Sequence, residues 1–304
     1  MELRHLRYFL MVGELLNFTE AAARLRVAQP ALSRQMRDLE DEMGVGLLRR
    51  SPRGVTLTAE GKLFLQEVRE LLKRVDESVE KTRALARGEY GELRVGYVSV
   101  PTAEILPLAL EAFRKTVPRV KLVLHDLSTD ELITGLRNGA LELAIMVQPI
   151  GEQTAGIEFE TLRSYVWCVA LPRTHSFARL KSIPLEKVTG EPLVVLRRQK
   201  YSEYHRILER IFAPVSGKPH IAMECDSEDS VFMEVEAGRA IAVVTTITKL
   251  AAGKRLVYRP LTGTTEKQFV GIARAAKGDV TPAGERFCEI LRQTSRGADK
   301  PKGR

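Results

Sequence analysis

Lysine is missing from the first 58 residues of this 304-residue chain, and cysteine and tryptophan are scarce throughout. The three cysteines, Cys168, Cys225 and Cys288, are odd in number and far apart. No disulfide framework is expected, and a reducing cytoplasm is the expected location. No apolar run approaches the roughly 18 residues of a membrane helix, so no membrane partner is expected. The opening Met1-Glu2-Leu3-Arg4-His5 mixes apolar with charged residues, which predicts no secretory leader. Catalytic and metal signatures are missing too. The five histidines show no HExxH spacing, and there is no CxxC pair and no GxxxxGKS/T phosphate loop. Gly44-Val45-Gly46 lacks a third glycine, and Glu40-Asp41-Glu42 reads as a solvated helix end. No catalytic residue, metal site or cofactor is expected, which disfavours an enzyme.

What remains is ordinary for a folded protein: 44% hydrophobic and 28% charged residues, enough chain for about two domains. The net charge of +8 is uneven. Residues 1–58 carry nine arginines against seven acids, residues 59–91 are balanced, and 292–304 hold five bases and one acid. A modestly basic chain is compatible with nucleic acid, but the positions of the arginines decide more than their number.

Residues 1–45 read as three helices. The first carries Leu3, Leu6, Tyr8, Phe9, Leu10, Val12 and Leu15 at helical spacing. Asn17 followed by Glu20 has the form of a capping box for a short helix over Phe18–Leu25. Ala21, Ala22 and Ala23 within it permit close approach of a neighbouring helix. Pro30 suits the start of a third helix that runs to about Met43 and stops at Gly44. Leu32, Met36, Leu39 and Met43 form its apolar stripe, while Gln29, Ser33, Arg34, Arg37 and Asp38 lie opposite. Amides, a hydroxyl and guanidiniums near a helix N-terminus are groups that read base edges or hold phosphates. A short helix, a tight turn and a helix polar at its start make the helix-turn-helix plan. An ordinary surface helix shows the same stripe. Segments 47–50 and 55–58 are strand-like and flank Ser51-Pro52-Arg53-Gly54, a hairpin wing with Arg53 at its tip. An arginine there can enter a narrow minor groove.

At these residues the chain resembles the LysR-type transcriptional regulators. The run Phe18-Thr19-Glu20-Ala21-Ala22-Ala23-Arg24-Leu25, then Val27-Ala28-Gln29-Pro30-Ala31-Leu32-Ser33-Arg34-Gln35-Met36, carries the resemblance. It continues through Leu39-Glu40, Gly44, Leu47-Leu48-Arg49-Arg50, Gly54-Val55 and Leu57-Thr58-Ala59-Glu60-Gly61. Ala28 departs from the serine many members carry, which removes one phosphate-binding hydroxyl. The resemblance implies DNA contacts from Gln29, Pro30, Ser33, Arg34 and Arg37, with Arg53 as the wing residue.

Thr58 can cap a long helix starting at Ala59. Leu65, Val68, Leu72, Val75, Val79, Thr82 and Ala86 recur at steps of three and four, a heptad seam suited to pairing with a second copy. The division expected is a winged helix-turn-helix over 1–58, a linker and dimerisation helix over 59–91, and an effector-binding domain over 92–304.

From residue 92 strands alternate with helices: strand 93–98, helix 103–115, strand 120–124, helix 129–137 and strand 141–147, a βαβαβ pattern that predicts a parallel sheet. A second set includes strands 164–171, 193–196, 221–224 and 241–245, with helices near 203–212 and 229–237. The fold class expected is α/β. Two such lobes resemble the family's effector domain, itself similar to periplasmic binding proteins. That resemblance implies crossings near 160–164 and 262–268. Lobe I then covers about 92–161 and 266–294, lobe II about 162–265, and a basic tail 295–304. Ligands of such sheets sit at the carboxyl ends of strands. Ser99, Val100, Thr102, Ser128, Thr129, Arg197, Arg198 and Thr245 lie there. The Arg197-Arg198-Lys200 cluster points to a small anionic metabolite. Ser99, Ser128 and Thr129 are equally good helix caps. All three cysteines read as inert core thiols rather than peroxide sensors.

The reading is a DNA-binding regulator switched by a small effector. The resemblance implies a dimer or dimer of dimers on an interrupted dyad of double-stranded DNA, with RNA polymerase as a further partner. A two-lobe solute-binding protein and an enzyme are the rival readings.

Overall fold

The computed structural model describes residues 1–51 and 54–297, with no side-chain description at 251, 252 and 297. The chain divides into two compact units, Met1–Ala84 and Leu85–Arg304. Arg53 of the expected wing tip, and residues 298–304 of the expected tail, lie outside the described residues.

The first unit holds α1 (Leu3–Leu15), α2 (Phe18–Leu25), α3 (Gln29–Met43), the strands β1 (Leu48–Ser51) and β2 (Gly54–Leu57), and the start of α4 (Ala59–Ala86). The Asn17 side chain accepts the Thr19 and Glu20 backbone N–H groups at 3.0 and 3.1 Å, which starts α2. The other half of the expected capping box does not form. Glu20 turns instead to Arg24, 2.7 Å away one turn on, where a charge-assisted bond is available. Leu32, Met36 and Leu39 are fully buried against Leu6, Phe9, Val12 and Ala21. The antiparallel hairpin pairs Leu48 with Leu57 and Ser51 with Gly54.

Helix α4 is anchored at its start. The Thr58 hydroxyl accepts the Gly61 N–H at 2.8 Å and donates to the Gly46 carbonyl at 2.8 Å. Gly61 is buried where a Cβ would collide with the Leu47 carbonyl. The heptad seam is divided in use. Leu65, Val68 and Leu72 join the unit's own core, beside the Phe9–Phe64 ring contact at 5.2 Å. A three-helix core this small needs a fourth helix to cover Phe9. Farther along the seam, Val79 stays exposed, at 43%.

The second unit comprises β3 (Gly91–Tyr97), α5 (Ser99–Thr102), α6 (Leu106–Thr116), β4 (Val120–Asp126), α7 (Thr129–Arg137) and β5 (Leu143–Val147). There follow β6 (Ile157–Leu171), β7 (Ile183–Pro184), α8 (Leu185–Val188), β8 (Pro192–Leu196), α9 (Ser202–Phe212), β9 (His220–Cys225) and α10 (Glu228–Glu236). The chain ends with β10 (Ala242–Thr245), α11 (Thr248–Ala252), β11 (Val257–Thr262), β12 (Lys267–Ala275) and α12 (Pro282–Gly297). In the first lobe β4, β3 and β5 run parallel and β12 closes antiparallel on β5. Helices α6 and α12 cover one face, with Phe113 edge-on to Phe287 at 5.1 Å, and α7 covers the other through Leu132, Ile133 and Leu136. The second lobe packs α9 and α10 around the parallel pair β8–β9 and the strands β10 and β11.

Strand β6 belongs to both lobes. It pairs with β12 from Ile157 to Val166, and with β10 and β11 from Trp167 onward. It therefore begins seven residues before the strand expected at 164–171. The alternation of Glu158 and Glu160 with half-buried Ile157 and Phe159 is that of a one-sided strand, and this strand changes partners between Val166 and Trp167. The helix expected over 103–115 is α6, which starts at Leu106 with Pro107 in its first turn, and the short α5 precedes it.

Candidate nucleic-acid interface and ligand cavity

The polar stripe of α3 faces outward. Gln29, Pro30, Arg34, Arg37 and Asp38 are exposed and Ser33 is half-buried. Arg34 has no ion-pair partner among the described residues. Ser33 accepts from Arg50 at 3.2 Å and, more weakly, from Arg37 at 3.5 Å, so its own proton is free to be donated. Gln35, next to these, turns inward and meets the His5 ring at 2.9 Å.

Sequence reasoning missed two residues that hold this face. Glu40 is not part of a solvated run. Its carboxylate accepts the Leu47 and Leu48 N–H groups at 2.7 and 2.8 Å and pairs with Arg50 at 3.4 Å. It thereby fixes the first hairpin strand to α3. Arg50 also lies over the Phe18 ring at 5.3 Å. A charged residue three turns into a helix gave no signal of that role.

Within the second unit, a small cavity lies between the lobes. Its walls come from the carboxyl ends of strands and the helix starts that follow them, as this architecture favours. Thr129, at the start of α7, donates its hydroxyl to Glu203 Oε1 at 2.9 Å. Thr245 donates to Gln268 Oε1 at 3.1 Å, joining β10 to β12. Outside the cavity wall, Ser202 donates to Asp130 at 3.2 Å. These bonds tie the two lobes together.

Two of the residues expected at a ligand line the cavity, Thr129 and Thr245. The others are occupied elsewhere or outside the lining. Ser128 caps α7 in a reciprocal box with Glu131. The Thr102 hydroxyl donates to the Val98 carbonyl at 2.7 Å. Val100 packs into the second lobe's core, and Ser99 is exposed. Arg197 reaches Asp226 at 2.8 Å and Arg198 reaches Glu209 at 2.9 Å. Each arginine finds a carboxylate on its own lobe, so the expected basic mouth does not form. No Lys, Arg or His is among the described residues that line the cavity.

The lining instead brings Glu203 and Glu228 together with Trp167, Tyr201, Tyr204 and Phe232. Burial pushes Glu203 up to about 7, against the pull of the Thr129 hydroxyl. Burial, then the neighbouring Asp229, Asp126 and Glu203, pushes Glu228 up to about 8. Burial and the charges of Glu228 and Asp126 raise the Tyr201 phenol to about 12. Two buried polar atoms of this lining, Glu203 Oε2 and Trp167 Nε1, have no well-formed hydrogen bond among the described residues. Sequence gave little sign of this set, since Glu203 and Glu228 read as ordinary acids in helical first turns.

All three cysteines are buried, and burial raises the thiols of Cys168 and Cys288 to about 12. Among the described residues there is no cluster of side chains able to hold a metal ion. None of their helices is long and apolar enough to cross a membrane.

Comparison with known proteins adds an independent line. The profile described as "Bacterial regulatory helix-turn-helix protein, lysR family" matches residues 3–62, and that described as "LysR substrate binding domain" matches 86–296. The chain is 33% identical over 261 residues to the HTH-type transcriptional regulator AlsR of Bacillus subtilis, covering 86% of each chain. It is 30% identical to TcbR of Pseudomonas sp. strain P51, covering 97% of this chain and 100% of that one. The crystal structure of full-length CbnR complexed with its target DNA matches with a TM-score of 0.81 at 30% identity, covering 97% of this chain and 100% of that one.

Proposed function

The chain belongs to the LysR family of bacterial helix-turn-helix transcriptional regulators, and on that premise we propose how its parts divide the work. Residues 1–58 read DNA, 59–91 link two copies, and 92–304 bind the effector. Gln29, Pro30, Ser33, Arg34 and Arg37 on α3 enter the major groove. Arg34 and Arg37 supply the guanidiniums that pair with guanine edges or phosphates. Arg53 is the proposed minor-groove contact. Two copies place their α3 helices one helical turn apart, about 34 Å, on an interrupted dyad. CbnR has been crystallised on its target DNA, which supports this mode of use.

The effector occupies the cavity between the lobes, with Thr129 and Thr245 as contacts. Its binding regulates transcription to the extent that it favours one arrangement of the lobes over another. A dimer or dimer of dimers carries that preference to the DNA and to RNA polymerase.

The observation that carries the reading is the exposed amide, hydroxyl and guanidinium face of α3, backed by a fully buried apolar stripe. A gel-shift titration of the chain on its own upstream region, across a salt series, tests it. Specific binding that weakens steeply with salt is expected. Equal affinity for that region and for a scrambled duplex overturns the site-specific role.

A further inference from the structure

Taking the cavity between the lobes as the effector site, we infer that this regulator's effector is a small organic cation, an ammonium group on a compact body that also carries an uncharged hydrogen-bond acceptor. The inference rests on the proposed function for the place of binding and goes beyond it in the chemistry bound.

Three observations carry it. The first is charge. The lining contains two carboxyl groups, Glu203 and Glu228, and no Lys, Arg or His among the described residues, while Arg197 and Arg198 are paired with Asp226 and Glu209. A carboxylate or phosphate entering here finds no cationic side chain to pair with, whereas a cation favours the ionised form of both carboxyls.

The second is unsatisfied hydrogen bonding. Glu203 is 3% exposed; its Oε1 takes the Thr129 hydroxyl, while its Oε2 has the Gln153 amide nearby but no hydrogen bond of good geometry. Leaving a buried carboxylate oxygen unpaired is costly, and an ammonium N–H is the donor that suits it. Trp167 is 2% exposed and its Nε1–H is also unpartnered. That donor requires an acceptor. A hydroxyl provides one without bringing a negative charge.

The third is the wall. Tyr201, Tyr204 and Phe232 stand with Trp167 in the same lining. Aromatic faces attract a desolvated cation through the ring quadrupole and pack against an apolar body.

The test uses the full chain and named probes: 2-amino-1-phenylethanol and 2-aminoethanol as cations, 2-phenylethanol as a neutral analogue, and benzoate as an anion. Thermal shift and isothermal titration are read at neutral pH, with a gel shift on the upstream DNA from the same preparation. At least one cation should raise the melting temperature while benzoate and 2-phenylethanol do not, because only the cation binds the folded lobes. In Glu203→Gln and Glu228→Gln the cation's affinity should fall about tenfold each, the loss of one charge-assisted contact. Stabilisation by benzoate, equal stabilisation by 2-phenylethanol, no shift with either cation, or unchanged affinity in both variants would overturn the inference. The first comparison needs only the unmodified chain, so misfolding of a variant does not remove the test. Retained DNA binding alongside any of these failures confines the error to the ligand's class. Absent DNA binding indicts the regulator reading instead.

Discussion

Glu203 makes the cavity's electrostatics measurable without any ligand. Replacing it by glutamine keeps the acceptor for Thr129 and removes the titrating group. The carboxyl moves from 4.5 to about 7 because it is buried. Ionising it inside the fold therefore costs about 3 kcal/mol more than in the unfolded chain. Below about pH 4.5 both states hold the proton and the penalty is absent. As pH rises the unfolded chain releases its proton first, so the folded state loses stability until Glu203 itself ionises near pH 7. Above that the loss is complete and constant. Glu203→Gln lacks this slope. Thermal melts of both proteins from about pH 5 to about pH 8, at one ionic strength, should show the variant gaining roughly 2–3 kcal/mol on the unmodified chain, or roughly 4–12 °C in the second unit's transition. Any cost of burying the amide is independent of pH and enters as a constant offset. Parallel curves across that range would refute both the buried, orphaned state of Glu203 and the charge argument built on it.

Other perturbations test the first unit. Arg34→Ala should weaken binding to the specific site by about 1–3 kcal/mol in a gel shift, and an equal loss on every sequence would assign Arg34 to phosphate rather than base. Gly61→Ala should lower the first unit's stability by about 1–3 kcal/mol, since the new Cβ meets a backbone carbonyl that cannot rotate away, and an unchanged melt would refute that packing. Val79→Asp leaves the chain's own core untouched but charges the exposed part of the α4 seam. Sedimentation should show a smaller assembly, and an unchanged mass would remove that stretch from the interface.

Much of the first unit was legible in sequence because its signals are local. The α3 stripe of Leu32, Met36 and Leu39 has helical spacing, Asn17 is a good cap, and Gly44 adopts the left-handed conformation that ends α3. The failures there involve competition between partners. Glu20 has a backbone N–H and Arg24 both within reach, and only geometry selects the guanidinium. The α4 seam was read as one continuous interface, yet the same apolar period serves an intramolecular core at Val68 and a free face at Val79. Period alone carries no information on which neighbour covers it. The same limit hid the start of β6, where half-buried alternation over Ile157 to Glu160 is too short to separate a strand from a polar crossing.

The cavity illustrates a sharper limit. Its lining comes from residues between Val98 and Gln268, so no window of sequence contains it. The local signal at 197–200 was a basic cluster, and it pointed to an anion. In the structure Arg197 and Arg198 pair with Asp226 and Glu209, while two first-turn glutamates line the cavity. Helix position would hold such glutamates ionised by about 0.3–1 kcal/mol. Burial opposes this at Glu203 by about 3 kcal/mol, and burial prevails. The charge a ligand meets thus depends on which side chains at the strand ends are paired away, which remain, and how far burial keeps those neutral.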